Sequence, residues 1–67
     1  MGRMSAEARA RLAGEAELIR RYRKEFDRLL KTKERNAAIV ALVDKHKVEY
    51  GERVKAHRDR FQVETAA

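Results

Sequence analysis

The chain has no cysteine, no proline and no tryptophan, and its 67 residues include only three glycines. Without cysteine, neither disulfides nor thiolate-ligated zinc can stabilise so short a chain, and a small domain of this kind belongs to the cytoplasm more naturally than to the secreted class. Without proline and with so little glycine, few residues interrupt a helix. Long hydrophobic runs are also missing. The longest is Ala37 to Val43, far short of the ~20 residues that span a bilayer. The first twenty residues carry charges throughout, unlike the apolar segment of a signal peptide. One serine, two threonines and two histidines offer no nucleophile–base or carboxylate–histidine constellation. No enzymatic activity, cofactor or metal is therefore expected.

What the chain does contain is alanine, glutamate, arginine, lysine and leucine, the strong helix formers. The expected class is all-α, as a single domain. Ser5 suits an N-cap, with Glu7 in the first turn to complement the helix dipole. An apolar stripe then runs Leu12, Ala16, Ile19, Tyr22, Phe26, Leu29, Leu30, and a second runs Ile39, Val43, His46, Tyr50, Val54, His57, Phe61. Both step by threes and fours, as amphipathic helices do. Gly14 is expected to weaken the first helix by up to ~1 kcal/mol relative to alanine.

At about 100° per residue the second stripe is rotated by roughly 130° from the first, so one straight helix would present two faces. A break near Thr32–Asn36, with either residue as the new N-cap, resolves the conflict. The reading is a two-helix antiparallel hairpin, with helices over 5–32 and 36–62, a disordered 1–4 and a frayed 63–67. The alternative is one long helix in a coiled coil, because a 3.5-residue period shrinks the drift. The block Ala37–Val43 is apolar all round and needs burial on more than one side. Two hairpins packed as a four-helix bundle supply that burial. The expected homodimer interface is Ile19, Phe26, Leu30, Ile39, Val43, Tyr50 and Val54.

A faint repeat relates the two stripes. Ile19 to Lys31 aligns with Val43 to Lys55 at an offset of 24, matching Tyr22 to His46, Glu25 to Glu49 and Phe26 to Tyr50. Two amphipathic helices converge on such patterns. The segments also resemble the small Arg- and Ala-rich helical proteins encoded by actinobacteria and their phages, in which a His/Arg-x-x-Glu-Tyr/Phe-x-x-Leu segment recurs. Gly51 departs from that pattern, and the resemblance carries no functional residue across.

The net charge is +6 and is unevenly placed: residues 20–35 hold eight basic and three acidic side chains. On a helical wheel Arg20, Lys24, Arg28, Lys31 and Arg35 form one ridge about 22 Å long, widened by Arg21. Spacing allows ion pairs of Glu17 with Arg21, Arg21 with Glu25, Arg23 with Asp27 and Asp27 with Lys31. The like charges at i, i+4 and i+8 are nevertheless unfavourable by about 0.2–0.5 kcal/mol per step. A phosphate backbone would relieve that repulsion and release counterions. The expected function is nucleic-acid binding through Arg20, Arg21, Lys24, Arg28, Lys31 and Arg35, in the manner of a phage or mobile-element regulator. The alternative is an adaptor or inhibitor docking on an acidic protein. His46 and His57 lie eleven residues apart, about 16 Å on one helix, too far to share a metal, and are read as core-edge residues.

Overall fold

The computed structural model describes residues 5–66; the expected disorder of 1–4 lies outside them. Four helices follow one another: α1 Ala6–Arg21, α2 Arg23–Leu29, α3 Arg35–Lys45 and α4 Lys47–Ala66. Among the described residues there is no strand. Helix α4 runs beyond the expected end at 62, since neither glycine nor proline stops it there.

Helix α1 opens as the sequence suggests, with the Ser5 hydroxyl accepting from the Ala8 N–H at 3.1 Å. The breaks are less expected. At Tyr22 the backbone leaves the helical region (φ −112°, ψ 45°), and at His46 it does so almost identically (φ −109°, ψ 41°). Each is a single-residue interruption. The Tyr22 N–H still donates to the Leu18 carbonyl at 2.8 Å, and the Phe26 N–H to the Tyr22 carbonyl at 2.9 Å. The corresponding bonds, His46 to Leu42 and Tyr50 to His46, measure 3.0 and 2.9 Å. The two interruptions occupy equivalent positions of the 24-residue repeat.

Helix α2 ends without glycine or proline. Lys31 and Thr32 N–H groups reach back three residues to the Arg28 and Leu29 carbonyls, each at 3.2 Å, which tightens the last turn. Glu34, not Thr32 or Asn36, is the residue before α3, and its side chain makes no cap bond. The chain then returns: α1 packs along α4, α2 lies against α3, and α1 also touches α3. The resulting body measures 43 × 28 × 16 Å.

The buried face of α1 is Ala10, Gly14 and Leu18, and Gly14 lies against Val54 and Tyr50 of α4. The three α1 residues recur every four and two are small, so the helices approach closely. A Cβ built on Gly14 would lie 3.0 Å from Val54 Cγ2 and 3.3 Å from the Tyr50 ring. Gly14, read from sequence as a weak point, is a packing site. The larger Leu12 is consequently left 53% exposed. A second cluster of Leu18, Phe26, Ala38 and Leu42 joins the arms, with Ile19, Tyr22, Leu29, Ile39, Val43 and Tyr50 packed around it. Phe26, expected at a dimer interface, is thus core in the single chain, only 2% exposed, because Leu18, Ala38 and Leu42 surround it. Leu30 remains 40% exposed. The apolar block of α3 is covered on one side only: Ala38 and Leu42 are buried, while Val40 is 67% exposed.

Candidate functional site

The facing breaks organise the polar chemistry. The Tyr22 and His46 rings stack with centroids 3.8 Å apart and planes 10° from parallel. The Tyr22 hydroxyl donates to Glu49 at 2.5 Å, and the His46 Nε2 sits 3.2 Å from both Glu25 oxygens. The residues before the breaks repeat the exchange: Arg21 pairs with Glu49 at 3.3 Å, and Lys45 with Glu25 at 2.7 Å. Residues 21, 22 and 25 therefore clasp their repeat equivalents 45, 46 and 49 reciprocally. The Glu25 carboxyl is held below its ordinary value, first by the Lys45 ammonium and then by His46. The Tyr22 phenol is pushed up, chiefly by its hydrogen bond to Glu49. Further along, Glu17 bonds His57 and lies 3.6 Å from Arg53.

This clasp changes the expected charge pairing. Of the spaced pairs, Arg23–Asp27 forms, at 3.3 Å. Arg21, Glu17 and Glu25 instead reach partners on the returning arm. Lys24, Arg28 and Lys31 are exposed and form no ion pair among the described residues.

Beside the clasp lies a shallow hollow of about 490 Å³ lined by Arg21, Tyr22, Arg23, Lys24, Glu25, Arg28 and Lys45. Its rim carries five cationic side chains and a single carboxylate. Guanidinium and ammonium groups gathered in this way suit phosphate oxygens, which accept several charge-assisted hydrogen bonds at once.

The six residues expected on one ridge do not share one surface. Arg21, Lys24 and Arg28 come together in the hollow. Arg20 and Arg35 line a different groove, between α1 and α3, and Arg35 lies 5.9 Å over the Phe26 ring. Lys31 stands in the turn after α2. Lys45 and Arg23 join the hollow although neither belongs to the wheel-derived ridge. The repeat was the available signal for Lys45, which it sets equivalent to Arg21. Among the described residues no group of three or more acidic, histidine or cysteine side chains is arranged to hold a metal ion, and no helix is long and apolar enough to cross a membrane.

No protein-family model, curated protein or solved structure matches this chain.

Proposed function

We propose that the chain is a cytoplasmic helical hairpin that acts as a homodimer and binds nucleic acid through the phosphate backbone. The binding surface is the hollow of Arg21, Lys24, Arg28 and Lys45, extended by Arg23 and Lys31. The observation that carries the reading is the position of Lys24, Arg28 and Lys31. They are exposed and without carboxylate partners among the described residues, while the nearby carboxylates Glu25, Asp27 and Glu49 are engaged elsewhere. Like charges left unneutralised on one short helix and its following turn are relieved by a polyanion, and counterion release adds to affinity. Phosphate contacts carry no sequence information, so the binding is expected to tolerate any sequence. Anisotropy of a labelled duplex against protein concentration, at two salt concentrations, tests the reading. Affinity that falls steeply with salt supports it. Absence of binding at low salt transfers the surface to an acidic protein partner.

A further inference from the structure

The groove between α1 and α3 adjoins the phosphate hollow, with Arg23 lining both. Leu12, Ala16 and Ile19 of α1 and Ile39 of α3 give it an apolar floor, flanked by Glu15, Arg20, Arg23, Arg35 and Asn36. Leu12 is 53% exposed, and Ile19 and Ile39 are partly buried against the core. A 67-residue chain with a core of Ala10, Leu18, Phe26, Ala38, Leu42 and Phe61 is small enough that further burial of apolar surface adds appreciably to stability.

The charges around this floor indicate its occupant. Arg23 is engaged by Asp27 at 3.3 Å, and Arg35 lies over Phe26. Arg23 and Arg35 keep their charge, and Glu15 also acts electrostatically on Tyr50 of α4; Glu15 and Arg20 are of opposite sign, and neither forms an ion pair among the described residues. They flank Ala16 and Ile19 symmetrically along α1. A two-fold axis midway between Ala16 and Ile19 sets α1 antiparallel to a second α1. It brings Glu15 of each copy opposite the other copy's Arg20, and Ala16 opposite Ile19. A surface complementary to itself in both charge and apolar pattern is the requirement of an isologous interface.

We infer that the groove is the dimer interface, occupied by α1 of a second copy of this chain and closed by two reciprocal Glu15–Arg20 pairs. Ala16, being small, allows the two α1 helices to approach, and Ile39 of each copy covers the other's α1. The four helices so assembled are α1 and α3 of both chains. This gives the dimer of the proposed function a definite surface, and it commits Arg20 to the interface. Lys24, Arg28 and Lys31 stay free.

Sedimentation equilibrium of the nuclease-treated full chain, over a range of concentrations, tests the inference by mass and without nucleic acid. The wild type should dimerise reversibly. Glu15→Arg or Arg20→Glu alone should weaken the dimer by about tenfold or more, because each places like charges opposite one another twice. The double variant Glu15→Arg/Arg20→Glu should restore it. Glu52→Arg, on α4 outside the groove, should change nothing. Circular dichroism confirms that each variant remains helical. A chain that stays monomeric throughout overturns the inference, as does a dimer indifferent to the single reversals or not rescued by the double one. Salt-dependent duplex binding by a monomeric chain would leave the phosphate surface standing and remove only this interface.

Discussion

Tyr22 and His46, 24 residues apart in sequence, stack ring on ring at 3.8 Å, and each marks the point where its arm leaves helical geometry. The contact is held from both sides, by Glu49 on the tyrosine hydroxyl and Glu25 on the histidine ring. It joins the two arms at the positions where each helix is interrupted. On a straight helix Arg20 and Lys24 would stand on one ridge. Across the break they line different depressions.

The acid side of the clasp sets a pH dependence. Glu25 has its folded carboxyl held below the ordinary value of 4.5, chiefly by Lys45. A lowered folded value favours the fold while the group is ionised, so its contribution is fully present above 4.5 and is lost as pH falls through the folded value. Thermal melts across this range should show the wild type losing stability on acidification more steeply than Glu25→Gln. Parallel losses in the two proteins would remove Glu25 from the account.

The two helical glycines should respond oppositely to alanine. Gly51 is exposed and a Cβ there meets nothing within 4 Å, so Gly51→Ala should stabilise by about 0.5–1 kcal/mol. In a domain of this size that is a rise of about 4–8 °C in Tm per kcal/mol. At Gly14 the new methyl would press on Val54 at 3.0 Å and on the Tyr50 ring. Gly14→Ala should therefore fall below Gly51→Ala in denaturant melts, the packing cost opposing the propensity gain. An equal gain at both sites would mean that α1 and α4 are not in close contact.

Two residues of α3, two positions apart, separate core from surface. Leu42 is 1% exposed, whereas Val40 is 67% exposed. Leu42→Ala should cost about 2–5 kcal/mol, a large share of the stability available to so small a domain. Val40→Ala should stay within about 0.5 kcal/mol. Urea unfolding followed by helical signal measures both, and similar costs at the two positions would contradict the placement of α3.

Local spacing made part of this legible in advance. The all-α class follows from composition, the Ser5 cap from its position ahead of the first stripe, and the Arg23–Asp27 pair from its i, i+4 spacing. Contacts between the arms were not legible in that way. Tyr22 meets Glu49 across a separation of 27 residues, and only the relative setting of two helices decides such a pair. The stripes also misplaced the buried face of α1. They weighted Leu12 by its size, whereas close approach to α4 selects Ala10 and Gly14 for their smallness. The interruptions at Tyr22 and His46 had no glycine or proline to announce them. The offset of 24 did pair these positions, and with them Lys45 and Arg21.

Lys24, Arg28 and Lys31 are proposed to face a phosphate backbone. The most direct test is fluorescence anisotropy of a random-sequence duplex with nuclease-treated protein, comparing the wild type with Lys24→Gln/Arg28→Gln/Lys31→Gln from low to near-physiological salt. For the wild type, the logarithm of the affinity should fall linearly with the logarithm of salt concentration. The triple variant, still helical by circular dichroism, should bind more weakly at low salt, with a salt slope shallower by about 0.9 for each lost contact. Equal affinity and equal slope in the two proteins would contradict the claim.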